Sequence, residues 1–365
     1  MPFRAYMDWV LHDPEHGAYG SGRLRIGPSG DFVTAPSLGP DFAALLAPQC
    51  AQWLEELGEG PLALLEAGPG EGSLAADLSA ALARGWPQLA ARTELVLLEP
   101  NAGLAERQRQ RLANAPLPCR WTTFAALAAS PVRGVLLAHE VLDALAVERI
   151  VSAGSHWRRQ RVALTGEGEL VLQVGEALEP VLLPGLERLG LLPPGPQRPA
   201  GWSSELHPAL APWLAAAAAA LLQGRLLVID YALEARRYYH PARHAGTLMA
   251  YRNQQACADP LAAPGTWDLT AHLCLESLEA AARDGGWQAL GGCRQGQALL
   301  ALGLAQRLHG LQGGNPEDLA ELLRRREALL RLVDPQALGD FHWRAYQRGE
   351  TEPLVPLFLR EPDGG

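Results

Sequence analysis

The 365-residue chain contains no lysine, and all 31 of its basic residues are arginine. A P-loop needs a lysine on its phosphates, and pyridoxal chemistry needs one for its Schiff base, so both classes are excluded. Cysteine is scarce. Cys50, Cys119, Cys257, Cys274 and Cys293 form no C-x-x-C pair, which leaves zinc ribbons and thioredoxin-like chemistry without support. An odd number of cysteines in a chain this long fits a reducing compartment. The first residues carry Asp8, Asp13 and Glu15 and no apolar run, so neither a secretory leader nor a transit peptide is expected. The longest apolar run, mostly alanine, ends at Leu222 and is broken by Gln223, Gly224 and Arg225, too short for a membrane span. There is no G-x-S-x-G to anchor a serine hydrolase. Positive charge is also short: the formal net charge is −9, which argues against nucleic acid as the main partner. A cytoplasmic protein with no membrane or nucleic-acid partner is expected. Arg236, Arg237, Arg243 and Arg252 form a local basic cluster, read as solvated surface.

About half of the residues are apolar, enough for a large core. Short β-type runs stand at 62–66 (LALLE), 94–99 (ELVLLE), 134–139 (GVLLAH) and 225–231 (RLLVIDY). Helical spacing separates them, as at 73–84 and 102–112. Apolar strands alternating with helices predict a mostly parallel sheet covered on both faces, an α/β fold. The stretch 146–175 alternates more and carries Gly154, Gly166 and Gly168, which predicts a hairpin. Residues 182–199, rich in proline and glycine, read as a loop. Residues 208–222 read as an alanine-rich helix. Asn315 as cap, Pro316 at the first turn and later arginines predict a helix over 316–333.

The central motif is LLEAGPGEGSLAADL. Glu66 ends a strand, Gly68, Gly70 and Gly72 follow at alternate positions, and a helix opens. Glycine lets the chain turn sharply and lets a ligand approach without a Cβ in the way, while the helix start offers free N–H groups. A dinucleotide fingerprint needs glycine at position 73, which is Ser73. Glu66 would also repel a pyrophosphate. It suits a cationic group, such as the α-amino group or sulfonium of S-adenosylmethionine. Glu99 ends the next strand, where doubly wound folds place the acid that holds the ribose hydroxyls.

The fourth strand runs into AHEVLDAL, with His139, Glu140 and Asp143 at the sheet edge where such folds bind ligands. H-E-x-x-H would suggest zinc, but the fifth residue is Asp143, and no metal site is expected. His240 and His244 flank Pro241 and read as a surface turn. Glu140 and Asp143 make an anionic acceptor pocket, which could hold the planar fork of a guanidinium. Each could instead cap a following helix.

In this order the motifs resemble one family nearly end to end. It is the family of the mitochondrial protein arginine methyltransferase that assists respiratory complex I assembly, with its bacterial relatives. The resemblance rests on YMDWVLHDPEHGAYG, GDFVTAPSLGPDFA, LLEAGPGEGSL, LEPNAGLAERQRQRL, HEVLDALAVERI, SSELHPALAPWL, LLVIDYALEARRYYHPARHAGTLMAY, DPLAAPGTWDLTAH and ALGDF. It implies a Rossmann-like class I methyltransferase core with a mostly parallel seven-stranded sheet. It implies a lid near the cofactor formed by Gly30, Asp31, Phe32 and Thr34, with Glu140 and Asp143 toward the acceptor. Asp268 and His272 should lie in a second loop near the site, although the residues alone read as a helix cap and a core histidine. The chain departs from the family at His139, usually asparagine, at Ala232 and at Ser37, where a carboxylate is lost. A histidine-bearing stretch becomes 253–257.

The expected organisation is an N-terminal helical or lid segment over 1–58, the first part of the cofactor-binding core over 59–150 and an inserted hairpin and helical region over 151–224. The second part of the core follows over 225–310, with a helical tail over 311–365. The expected activity is methylation by S-adenosylmethionine, with an arginine of a partner protein as acceptor. A small-molecule acceptor, or an assembly factor that binds cofactor without catalysis, stands as the alternative. The oligomeric state is left open, a homodimer being one option.

Overall fold

The computed structural model describes residues 1–27, 30–312, 318–350 and 352–361. The chain divides into two compact units. The first contains Met1–Arg25, Leu142–Leu214 and Ala232–Asp284, the second Ile26–Val141, Ala215–Tyr231 and Gly285–Gly365.

The second unit opens with β1 (Leu62–Ala67), β2 (Thr93–Leu98), β3 (Cys119–Thr122) and β4 (Val132–His139). The chain then supplies four strands of the first unit, β5 (Glu148–Ser152), β6 (Trp157–Leu164), β7 (Leu170–Ala177) and β8 (Ser203–Leu206). It returns with β9 (Leu221–Asp230). Five short strands of the first unit follow: β10 (Ala232–Leu233), β11 (Met249–Arg252), β12 (Gln255–Cys257), β13 (Asp268–Thr270) and β14 (Leu273–Cys274). The last two, β15 (Gln288–Arg294) and β16 (His342–Arg348), belong to the second unit.

Its sheet has seven strands in the order β15-β16-β9-β4-β1-β2-β3. All pairs are parallel except those of β16, which runs antiparallel to both neighbours. Successive residues of the central strands are buried on both sides. Leu64, Leu95, Leu97, Val135, Leu137, Leu227 and Ile229 join one core cluster with the helices Asp41–Glu56 and Ser73–Gly85. Their neighbours Leu65, Val96, Leu136 and Val228 are equally buried. That two-sided burial is why these strands read as continuous apolar runs. The direction of travel reverses at β1, since β2 and β3 extend one way and β4 and β9 the other. Open α/β sheets bind ligands at the carboxyl ends of strands flanking such a reversal.

Asp41 anchors this core to the C-terminal helices. Its carboxylate accepts hydrogen bonds from Arg307 Nε at 2.5 Å and from Arg325 Nε at 2.9 Å and Nη2 at 2.7 Å. Burial raises the pKa of the carboxyl, and the bonds from Arg325 and Arg307 more than reverse this, holding it below the usual range. Asp41→Asn is therefore expected to lower stability by about 2 kcal/mol at neutral pH. Because the folded-state pKa is depressed, the difference should be full above about pH 4 and vanish as the pH falls below it. Urea unfolding of both proteins across that range checks this.

The first unit holds an antiparallel four-stranded sheet, β7-β6-β5-β8, a three-stranded sheet, β12-β11-β13, and the pair β10-β14. The expected hairpin is β6–β7.

Several expected boundaries are corrected. Residues 1–58 are split between the units, and most of the expected second core segment, 232–284, lies in the first unit. The tail is not all helix, because β16 sits inside the sheet. It carries His342, Arg344 and Gln347 among its apolar residues and so shows no apolar run. Gln347 Nε2 is satisfied by Gln288 Oε1 at 2.7 Å, and Gln295 Oε1 accepts from Trp343 Nε1 at 3.2 Å. The loop expected over 182–199 contains a short helix, Leu183–Arg188. The alanine-rich helix spans Leu210–Ala219, and β9 begins at Leu221. The last long helix is described from Leu319 to Val333, and the expected cap, Asn315 and Pro316, lies outside the described residues.

Candidate functional site

Glu66, the fifth residue of β1, shares a face with Leu62 and Leu64 and is 5% exposed. Its Oε2 is buried and has no hydrogen-bond partner among the described residues. Burial pushes its pKa up to about 8, although the Ala75 N–H in the first turn of the next helix donates to it. No arginine offsets that burial. A buried carboxylate oxygen with nothing opposite it is costly in isolation, and an ammonium or sulfonium would satisfy it.

The turn after β1 is built from left-handed residues. Gly68, Gly70 and Gly72 have φ of +58°, +55° and +77°. A Cβ on Gly68 would lie 3.0 Å from Val141 Cγ2, and one on Gly70 would lie 2.8 Å from Ile26 Cδ1. Side chains at these two positions would be both strained and crowded. Gly72 leads into the helix Ser73–Gly85, whose Leu74, Leu78 and Leu82 recur at one-turn spacing and are buried. The glycines are therefore held at the open N-terminus of a firmly packed helix.

Glu99 lies one residue beyond β2, so that strand ends earlier than expected. Its Oε1 accepts from Asn101 N at 2.8 Å and its Oε2 from Gln108 Nε2 at 3.0 Å. Burial raises its pKa, and these two bonds oppose the rise. Asn101 in turn caps the helix Ala102–Arg111 by accepting from Leu104 N.

Phe32 and Thr34 belong to the same unit. Gly27 N donates to Phe32 O at 2.9 Å, next to Ile26, which the glycine loop faces. Thr34 is buried and caps the single helical turn Ala35–Leu38. Ser37, where the resembled family has a carboxylate, donates to Thr34 O at 2.7 Å and accepts from Thr34 N at 3.0 Å.

β4 ends at His139, and Glu140 follows at φ +53°, a left-handed conformation rare for a residue with a side chain. Its N–H still donates to Ile229 O at 2.9 Å, so the sheet fixes it there. No helix follows, so neither Glu140 nor Asp143 is a helix cap. His139 packs edge-on against Phe42, with ring centroids 5.3 Å apart. Burial pushes its pKa down to about 3, so the ring is neutral. Its Nδ1 lies 3.5 Å from Glu140 Oε1, a contact with a neutral ring and not an ion pair.

The remaining residues lie in the first unit. Asp143 is 5% exposed, and its carbonyl accepts from Ala271 N at 3.0 Å. Asp268 opens β13 opposite Tyr251 and is buried. It is a strand residue and not a helix cap. The Tyr251 hydroxyl pKa is raised by burial and by the charges of Asp143 and Asp268. His272 is half-buried, and its N–H donates to Thr247 Oγ1 at 3.1 Å, so it is not a core histidine. His240 and His244 are exposed, as a surface turn requires.

Two site features escape the sequence reading. Gln108 is fully buried beneath the turn, donating to Gly70 O at 2.9 Å as well as to Glu99. Arg107 pairs with Glu71 inside the turn, Nε to Oε2 at 3.1 Å. The signal for Gln108 was its place on the stripe of Leu104, Ala105 and Leu112, where a polar residue is unexpected on a buried face.

Residues 45–293 match the family described as "Putative S-adenosyl-L-methionine-dependent methyltransferase". The mouse protein named "Protein arginine methyltransferase NDUFAF7, mitochondrial" is 26% identical over 370 residues, 93% of this chain and 79% of the relative. The Drosophila melanogaster homologue is 25% identical over 368 residues, with the same coverage. A Burkholderia thailandensis protein crystallised with S-adenosyl-homocysteine bound superposes with a TM-score of 0.85. It is 30% identical, over 99% of this chain and 90% of that one.

Proposed function

Since the chain belongs to this family of S-adenosyl-L-methionine-dependent methyltransferases, we propose that it transfers the methyl group to an arginine side chain of a partner protein. The observation that carries this reading is Glu140. It is a carboxylate held in a left-handed conformation at the carboxyl end of β4, with its side chain only 12% exposed beside a neutral histidine. Strain of this kind costs about 1–3 kcal/mol and persists where surrounding structure enforces it, commonly at functional sites. The names of the curated relatives support the same acceptor.

The cofactor supplies a methyl group made electrophilic by the sulfonium that carries it. Glu66 would meet the cationic end of that group, and Glu99 would accept hydrogen bonds from its ribose hydroxyls. Gly68, Gly70 and Gly72 would let it approach the backbone, with Phe32 and Thr34 alongside. Glu140 would accept two N–H bonds from the guanidinium, holding its plane and keeping the positive charge on the nitrogens that do not attack. It would also take the proton that the attacking nitrogen gives up. Asp143 is the second candidate for acceptor binding. The protein's main contribution is orientation and the exclusion of water.

Incubating the purified protein with deuteromethyl-labelled S-adenosylmethionine and an extract of cells lacking it tests the acceptor. After acid hydrolysis, mass spectrometry should find labelled methylarginine. Label confined to small molecules would overturn the protein-arginine reading in favour of a small acceptor. Absence of any label, with the cofactor still binding, would leave an assembly factor without catalysis.

A further inference from the structure

We propose that Gln108 is a positioning residue that bolts the glycine turn to the ribose-binding acid and so fixes the span over which the cofactor is held. The inference rests on Glu99 being that acid.

Gln108 has no exposed surface. One Nε2 hydrogen goes to Gly70 O at 2.9 Å, in the turn after β1. The other goes to Glu99 Oε2 at 3.0 Å, just beyond β2. Its Oε1 accepts from Trp121 Nε1 at 2.9 Å, in β3. One amide thus joins the carboxyl ends of three adjacent strands. Its orientation is determined, because a flipped amide would face two acceptors with an oxygen and a donor with an NH2 group. The other Glu99 oxygen is held by Asn101 N at 2.8 Å. A glutamate side chain free to rotate would lose rotamer entropy on binding ribose, and one already held at both oxygens loses little. The preceding residue acts in the same direction, since Arg107 grips Glu71 within the turn. Helix Ala102–Arg111 therefore clamps the turn with two consecutive side chains.

The test compares the full chain with Gln108→Glu and Gln108→Met, measuring S-adenosyl-homocysteine binding by calorimetry between pH 6 and 8.5. Gln108→Glu keeps the shape and the acceptor for Trp121. When ionised, it sets a carboxylate against Gly70 O and Glu99; when protonated, it can donate again. Its dissociation constant should exceed that of the wild type about thirtyfold at pH 8.5, and the ratio should fall to about threefold at pH 6. A merely structural role would give a ratio independent of pH, and that result would overturn the proposal.

Gln108→Met supplies a second readout should the charged variant fold poorly. It should lose discrimination between S-adenosyl-homocysteine and its 2′-deoxy analogue, by about fivefold, whereas general loosening would weaken both ligands equally and count against the proposal. Glu99→Ala separates the two levels. If it binds as tightly as the wild type, the ribose reading itself fails and the inference falls with it. If it loses affinity while both Gln108 variants bind normally, only the role of Gln108 is overturned.

Discussion

Replacing Glu66 by glutamine is expected to weaken S-adenosylmethionine binding about a hundredfold while making the ligand-free protein more stable. The binding loss follows from removing the buried carboxylate proposed to face a cationic group of the cofactor, an interaction worth roughly 2–5 kcal/mol when one partner is truncated. The stability gain follows from the pKa of Glu66, raised by burial to about 8. A carboxyl whose folded pKa lies above its unfolded value favours the folded state at low pH, and that contribution is lost as the pH rises through the folded value. Glutamine imitates the neutral form at every pH. The variant's advantage should therefore be greatest above about pH 8, on the order of 5 kcal/mol, and should vanish toward about pH 4.5. Thermal unfolding across that range reads it directly.

Binding carries the opposite sign. A cationic ligand requires the ionised carboxylate, so wild-type affinity should fall as the pH drops below about 8, by up to tenfold per unit, while Glu66→Gln shows no such slope. Comparing S-adenosylmethionine with S-adenosyl-homocysteine locates the partner. An equal loss for both assigns Glu66 to the α-amino group they share, and a larger loss for the former assigns it to the sulfonium. A variant that binds both as tightly as the wild type would remove Glu66 from the site.

Glu140→Gln is expected to lower kcat about a thousandfold with S-adenosyl-homocysteine affinity unchanged, because the amide neither neutralises a guanidinium nor takes its proton. Glu140→Gly sharpens the test. Glycine adopts φ near +53° without the steric cost borne by Glu140, so this variant should be about 1 kcal/mol more stable than the wild type and equally inactive. Higher stability together with lost turnover would mark Glu140 as strain retained for function. A variant that is stable and fully active would show that the carboxylate serves neither purpose.

The cofactor half of this protein was legible in its residues. Apolar runs bounded by glycine and acid specify strands that end within one residue of Glu66 and Glu99, and the glycines of the turn can satisfy left-handed angles that other residues resist. Those signals are local, because each depends on a residue's own conformational range and its immediate neighbours. Gln108 was not legible as a clamp, because its partners, Gly70 and Trp121, are distant in sequence and converge only when three strands lie side by side. β16 was hidden for a related reason. Its backbone pairs with a strand on each side and Gln347 donates to Gln288, so it is held in the sheet without an alternating or continuous apolar pattern. The division into units was the least visible feature. The first unit gathers three separate stretches of chain and the second gathers three others, and no composition shift marks those crossings. The sequence by itself determined the strand–turn–helix that suits S-adenosylmethionine, since periodicity, acid placement and glycine φ are properties of short segments. Only the tertiary structure decided that Glu66 is buried with no cation beside it among the described residues, that Glu140 is forced into a left-handed angle, and that Gln108 joins the turn to the acid. Burial, strain and hydrogen bonding across strands arise from packing and not from sequence order.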